Sequence, residues 1–202
     1  MSDLIPKVDV PEGVVRKWAI QRFTVSAADA RWANLTSAMS GGGNFGGRDI
    51  TPGTYTKLTY NGSIVMSDVP AEMRDHMMPV IKAKGHCLLN GLGLGMVANA
   101  MLMKPEVTEV TVIELDPDVI ALVAQHYKEK FGDKITIIQA DALTYEPLKK
   151  ARYGAVWHDI WPNICSDNLA SMKLLHKKYG RRAEWQGSWC RAECERANRT
   201  GW

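Results

Sequence analysis

The spacing of apolar and polar residues changes along this chain and predicts where strands give way to helices. Lys17–Val25 alternates as a half-buried strand does, and Ser26 then caps a helix of sequence SAADARWANLTSAM. Two β-rich segments within Thr54–Ser67 flank Asn61-Gly62, the preferred dipeptide of a type I′ hairpin turn. The N-terminal third therefore predicts a strand, a helix and a β-hairpin.

Beyond the hairpin the pattern becomes a regular alternation of helices and apolar strands. A helix is predicted from Pro70 to just before Gly85, and His76 on it is expected to be a surface or core residue rather than a ligand. Strands follow at Cys87–Leu89, Val110–Ile113, Ile135–Gln139 and Ala155–His158, with helices from Met96, over Asp118–Lys130 and over Ser166–Lys178. Such alternation predicts an α/β fold with a parallel sheet.

Three regions follow from these elements. We expect a Rossmann-like, mostly parallel sheet over residues 70–180, preceded by an N-terminal elaboration (residues 1–69) and followed by a basic, Trp-rich tail (residues 181–202). The glycine-rich segment 41–47 is favoured as a solvent connector over a lid. The residues after Gly180 do not have the pattern of three further strands, so we expect the sheet to be shortened on its C-terminal side.

Composition limits the class of protein without naming a ligand. The sequence is 46% hydrophobic with a net charge of +3, as in a globular domain with an adequate core. No apolar run approaches the roughly 18 residues of a membrane span, and no signal peptide is visible. Cys190 and Cys194 lie one helical turn apart and are expected to be neighbours on one helix face, so no metal site is predicted. We therefore expect a cytoplasmic protein with reduced thiols.

A glycine turn lies between the first apolar strand and the helix after it. Gly91, Gly93 and Gly95 let the backbone approach a ligand closely. Glu114 ends the next strand, close to the roughly 20 residues downstream at which a nucleotide-binding βαβ unit places its ribose-binding carboxylate. A dinucleotide fingerprint would need a third glycine where Met96 stands, so a nicotinamide- or flavodoxin-like unit is the weaker alternative.

Carboxylates follow three of the predicted strands. Glu114, Asp141 and Asp159 should share one edge of the sheet, because the carboxyl ends of parallel strands lie together. Ligands of open α/β sheets bind beyond that edge. Neither GLGLG nor HDIWP contains a lysine or arginine. A cationic ligand therefore fits better than a pyrophosphate, which would need basic partners.

Residues 87–162 resemble the core of class I S-adenosylmethionine (SAM)-dependent methyltransferases, and the preceding hairpin and helix are similar to the spermidine-synthase-like branch. The resemblance implies SAM as the cofactor of a group transferase. It further implies that Gly91, Gly93 and Gly95 hold the methionine portion, Glu114 the ribose, Leu115 and Asp116 the flanks of the adenine, and Asp141, beside Ala142, the adenine amino group.

The segment after the fourth strand carries the candidate acceptor residues. By the same resemblance Asp159 faces the sulfonium or the nucleophile and would orient or deprotonate the acceptor. Trp161, next to Pro162, would stack on a planar or cationic acceptor, although a buried packing role fits it equally well, and His158 is a weaker candidate base.

Two departures from the family pattern leave the reaction open. Asn90 stands where many methyltransferases have an acid, and the second acid of the Asp-x-x-Asp-Pro motif of aminopropyltransferases is missing after Asp159. Methyl transfer is the default prediction. An aminopropyltransferase and a non-catalytic SAM-binding or assembly module are the alternatives.

The tail bears on the choice of partner. Interspersed glutamates favour a mixed, solvated helix over a nucleic-acid interface, so we expect a small-molecule acceptor. Trp185 and Trp189 would cover the sheet edge or form a subunit contact, which leaves a homo-oligomer open. The basic residues are Arg181, Arg182, Arg191, Arg196 and Arg199, and the glutamates are Glu184, Glu193 and Glu195.

Overall fold

Two β-sheets are present in the computed structural model, which describes residues 4–39 and 50–200. The glycine-rich segment 41–47, predicted as a connector, lies outside the described residues. Within the described part, no helix has the length and apolar character that crossing a membrane requires.

The first sheet is antiparallel and comes from the N-terminal region. Its order is β1–β2–β3–β4, and helix α1 joins β2 to β3. Asn61 and Gly62 between β3 and β4 have φ of 50° and 80°, which confirms the predicted type I′ turn. The elements are β1 (Gly13–Val15), β2 (Trp18–Val25), α1 (Ala27–Met39), β3 (Gly53–Tyr60) and β4 (Ser63–Ser67).

The helix predicted after the hairpin is two short helices, α2 (Pro70–Asp75) and α3 (Met77–Lys82). The prediction of one continuous helix is wrong, and Pro79 gives the reason. Proline has no N–H to donate to the carbonyl of Asp75, and its ring crowds that carbonyl. The break falls at His76, whose side chain is buried.

The second sheet is entirely parallel, with the order β7–β6–β5–β8–β9. The order reverses beside β5, which is a topological switch point of the Rossmann-like kind and confirms the predicted fold class. Its elements are β5 (Gly85–Asn90), α4 (Met96–Leu102), β6 (Val107–Glu114), α5 (Pro117–Phe131), β7 (Ile135–Gln139), β8 (Tyr153–His158), α6 (Asn168–Tyr179), β9 (Ala183–Ser188) and α7 (Arg191–Thr200).

Among the described residues one strand, β9, follows Gly180 where a complete core would have three, so the sheet is shortened as expected. The sequence AEWQGS lacks the β-branched pattern of a buried strand, which is why the pattern gave no signal. Tertiary packing stabilises this strand despite its low β-propensity. Trp185 stacks on Trp157 with ring centroids 6.2 Å apart and planes 11° apart. Strand β9 pairs in parallel with β8, so the tail completes one edge of the sheet.

Candidate functional site

A cavity of about 640 Å³ lies at the carboxyl edge of the parallel sheet. The structure brings together on its walls all the residues that the sequence indicated for a site except Gly95 and His158. Those present are Gly91, Gly93, Glu114, Leu115, Asp116, Asp141, Ala142, Asp159, Trp161 and Pro162. The three strand-end carboxylates therefore line one cavity.

The glycine turn forms part of this wall. Gly91 and Gly93 have φ of 102° and 50°, values that L side chains rarely adopt. A Cβ at Gly91 would collide with the carbonyl oxygen of Asp159, and one at Gly93 with the sulfur of Met66. Both glycines thus allow neighbouring segments to approach the turn closely.

Gly95 does not line the cavity and instead packs against α5, and its role in cofactor binding stays a prediction. Its φ is 71°, and a Cβ there would collide with the ring of Tyr127 on α5. The Tyr127 hydroxyl donates to the carbonyl of Leu94 at 2.9 Å. Gly95 therefore brings the start of α4 against α5.

Glu114 ties the glycine turn to the end of β6. Its Oε2 accepts from the Leu92 N–H at 2.7 Å, and its Oε1 accepts from the Asp116 N–H at 2.8 Å. Each carboxylate oxygen can accept more than one hydrogen bond. The carboxylate is thus held in place and retains capacity for a ligand diol.

Asp116 connects the cavity to the N-terminal sheet. Its Oδ2 accepts from the Trp18 indole N–H at 2.8 Å, and its Oδ1 accepts from the Asp118 N–H at 2.9 Å, which caps α5. Trp18 itself lines the cavity. Leu115, which precedes Asp116 in the chain, also lines the cavity and is 67% exposed. It offers an apolar surface on which a planar ring could lie.

Asp141 lies in a tight turn after β7. Its Oδ1 accepts from the Leu143 N–H at 2.8 Å, and its carbonyl accepts from the Thr144 and Tyr145 N–H groups at 3.1 and 2.7 Å. This is an Asx turn, a structural role that uses one of the two carboxylate oxygens.

Asp159 lies among other acids. Burial, together with the charges of Glu72, Asp75 and Glu114, raises the pKa of Asp159 to about 8. His76 Nε2 is 3.7 Å from Asp159 Oδ2. The carboxyl group therefore ionises less readily than an ordinary aspartate, and a cation beside it would favour the ionised form.

Four further residues line the cavity around Asp159 and were not assigned to a site from the sequence. Glu72 comes from α2 and His76 from the break between α2 and α3. Trp157 lies two residues before Asp159, and Trp189 follows β9. The indole N–H groups of Trp157 and Trp189 are buried with no acceptor among the described residues.

His158, a candidate base from the sequence, does not line the cavity. Neighbouring side chains on a strand point to opposite faces, and Trp157 takes the cavity side. His158 is fully buried away from the cavity, where its Nδ1 accepts from Asn90 Nδ2 at 2.7 Å and its Nε2 donates to Gln186 Oε1 at 3.3 Å. Burial lowers the pKa of His158 to about 3, so it is neutral and structural.

Trp161 lines the cavity with a fixed ring. Its indole N–H donates to Ser171 Oγ at 2.9 Å, and that hydroxyl in turn donates to the carbonyl of Asn168 on α6. Helix α6 therefore sets the orientation of the segment that follows Asp159.

The cavity wall is acidic and aromatic. Among its described lining residues there is no lysine or arginine. Across residues 4–39 and 50–200, no cluster of three or more His, Cys, Asp and Glu side chains could hold a metal ion. The wall suits a cationic, partly planar molecule and does not suit a pyrophosphate.

Comparisons with known proteins give structural neighbours only. No family model and no curated protein matches the sequence. Solved structures similar to this chain include the N-methyltransferase NodS from Bradyrhizobium japonicum (18% identity, 64% of this chain and 74% of that chain, TM-score 0.47). Others are the putative methyltransferase yhhF from Escherichia coli (15%, 57% and 62%, 0.43) and the [4+2]-cyclase SpnF (16%, 52% and 41%, 0.40).

These likenesses are distant. The chain spans 62% of the length of yhhF and 41% of that of SpnF. All three TM-scores lie below 0.5, and the three proteins include two methyltransferases and one cyclase. They do not fix the activity of this chain.

Proposed function

We propose that this chain binds SAM and transfers its methyl group to a small-molecule acceptor. The observation that carries the proposal is the meeting of Glu114, Asp141 and Asp159 in one cavity whose described wall has no lysine or arginine. When bound, SAM supplies an electrophilic methyl group on a positively charged sulfur. Carboxylates in a partly enclosed cavity stabilise such a charge more strongly than they would in water.

The residues present fit the adenosyl portion. Glu114 would accept from the two ribose hydroxyls, because a carboxylate is an acceptor with two oxygens and Glu114 is already fixed by backbone N–H groups. Asp141 would accept from the adenine amino group through the oxygen that the Asx turn leaves. Leu115 and Leu143, both exposed and both lining the cavity, would cover the base.

Asp159 is proposed to handle the proton of the acceptor. A cation beside it, either the sulfonium or a protonated amine, would favour the ionised carboxylate and lower its raised pKa. The ionised carboxylate can then take the proton that an amine or hydroxyl loses when it attacks. Proximity and orientation would supply most of the remaining rate enhancement.

Aminopropyl transfer is the second candidate, and the position of Glu72 favours it. The sequence lacks the second acid of the aminopropyltransferase motif, yet Glu72 lines the same cavity and its charge acts on Asp159. Glu72 is itself fixed, since its Oε2 accepts from the N–H and Oγ of Ser67 at 2.9 and 2.8 Å. An acid from α2 could therefore hold an amine where the family uses one from the strand end.

A product assay separates the alternatives. The protein is incubated with SAM or decarboxylated SAM and a panel of small amines and hydroxyl compounds, and products are detected by mass spectrometry. Methylated product with SAM supports the proposal. Turnover only with decarboxylated SAM would establish aminopropyl transfer, and tight SAM binding without turnover of any acceptor would favour a non-catalytic module.

A further inference from the structure

One lysine of α6 is bound to the turn that carries Asp141. Lys178 Nζ donates to the carbonyl oxygens of Ala142, Leu143 and Tyr145 at 3.2, 2.7 and 2.8 Å. An ammonium group has three N–H donors, so this one turn can engage all of them. Ala142 and Leu143 line the cavity, whereas Lys178 is not among the lining residues.

The turn needs such a partner because of its geometry. Residues 141–145 belong to neither a helix nor a strand. Their N–H groups turn inward, with those of Leu143, Thr144 and Tyr145 all donating to Asp141. Three of the carbonyls converge on one point, where their negative ends would repel one another without a cation between them.

We propose that Lys178 is a positioning residue for adenine recognition. It fixes the turn so that the Asp141 carboxylate faces the amino group of the base. The inference rests on the proposed function for its ligand, but the positioning itself is a property of the ligand-free chain. Lys178 acts through the turn and does not touch the cofactor.

The chain offers a matched control in Lys104. Its Nζ donates to the carbonyls of Val80, Ile81 and Ala83 at 2.8, 3.2 and 2.7 Å, at the C-terminal end of α3. Lys104 and Lys178 are both partly buried, and neither Lys104 nor its partners line the cavity. Lys104→Met therefore removes the same kind of interaction from a different place.

The first arm of the test is amide hydrogen exchange of the ligand-free protein. Lys178→Met should speed exchange at Leu143, Thr144 and Tyr145, and Lys104→Met should leave those amides at the wild-type rate. If Lys178→Met lowers the folded fraction, Lys178→Gln, which keeps a donor without the charge, is measured in its place. Unchanged exchange at the turn in the Lys178 variant would overturn the positioning role.

The second arm measures discrimination between bases. S-adenosylhomocysteine is titrated against its inosine counterpart, in which a carbonyl replaces the adenine amino group. Wild-type protein should prefer the adenine compound. Lys178→Met should weaken binding of the adenine compound about tenfold and bring the two affinities together. The reason is the loss of the hydrogen bond from the adenine amino group to the charged Asp141 carboxylate.

The two arms separate the inference from the proposed function. A Lys178→Met protein that keeps the wild-type preference for adenine, as Lys104→Met should, would overturn the inference while leaving SAM binding intact. A wild-type protein that binds neither compound would overturn the proposed function. Exchange at the turn would then still decide whether Lys178 holds it.

Discussion

The two ends of the cavity obtain their side chains in different ways. At the Glu114 end, defined by Gly91, Glu114, Asp116 and Asp141, the side chains follow the parallel strands and the turn between them. At the Asp159 end, Asp159 meets residues from the α2–α3 break and from the segment after β9. The carboxylates of the first end thus come from neighbouring strand tips, with Trp18 of β2 bound to one of them, and the second end is assembled from segments distant in sequence.

This difference has a chemical counterpart. The carboxylates of the Glu114 end each accept a hydrogen bond from a backbone N–H group. Their fixed positions suit groups that bind a ligand without changing their own protonation. Asp159 instead has a pKa raised by burial and by neighbouring acids, which suits a group that exchanges a proton. We therefore expect substitutions at the Glu114 end to change affinity and substitutions at the Asp159 end to change rate.

The largest expected effect concerns Asp159. Asp159→Asn should lower kcat by about 10²- to 10⁴-fold, because a general base is lost, while SAM affinity falls far less. Asp118→Asn is a suitable control, since Asp118 lies on α5 and is not a lining residue. Steady-state kinetics and calorimetry on the same preparations give both quantities. A variant with wild-type kcat would remove Asp159 from the reaction.

Glu114 tests the other end. Glu114→Ala should weaken SAM binding about 10- to 150-fold, because hydrogen bonds to a charged acceptor contribute about 1.5–3 kcal/mol. Glu109→Ala provides the control on the same strand, because Glu109 is outside the cavity. Equal affinities in the two variants, measured by calorimetry, would mean that the strand-tip carboxylate does not contact the ligand.

Gly95 separates folding from binding within the glycine turn. Gly95→Ala should destabilise the protein by about 2 kcal/mol, because the positive φ and the Tyr127 ring both oppose a Cβ. Urea unfolding measures this loss. The SAM affinity of the folded protein should stay near wild type, whereas a large loss of affinity at unchanged stability would return Gly95 to the binding site.

The raised pKa of Asp159 predicts a pH dependence of stability. The folded-state pKa of about 8 lies above the unfolded value near 3.8, so the folded protein binds this proton more tightly. This contribution is greatest below pH 4 and is lost as the pH rises toward 8, by on the order of 1 kcal/mol per pH unit.

Urea unfolding of the wild type and Asp159→Asn at several pH values isolates this contribution. The stability of the wild type relative to the variant should fall between pH 5 and pH 8. A difference that stays constant over that range would show that Asp159 titrates as an exposed carboxyl does. Saturating SAM should flatten the dependence, since a nearby cation lowers the pKa.

What the sequence could predict follows the same division. The glycine turn, Glu114 and Asp141 can be recognised because each directly follows a predicted strand. Local sequence predicts those strands, and the parallel order brings their ends together. Glu72 and His76 could not be placed, because the helix break at His76 and the packing of the N-terminal region decide their position. Strand β9 was also missed because a contact distant in sequence stabilises it, namely the stacking of Trp185 on Trp157.

His158 lies away from the cavity, although Trp157 and Asp159 on either side of it line the cavity. Strand alternation alone does not predict this, because the neighbouring residues Ile113 and Glu114 at the end of β6 both line the cavity. Gly95 shows a different limit, because a regular spacing of glycines does not predict which of them packs against a tyrosine ring.

Parallel calorimetric titrations of SAM and of a nicotinamide dinucleotide test the central claim most directly. We propose that the carboxylates at the strand ends bind a cationic adenosyl compound in a cavity with no lysine or arginine among its described lining residues. The account predicts saturable, one-to-one binding of SAM and none of the dinucleotide at the same concentration. Binding of the dinucleotide, or no binding of SAM, would contradict it.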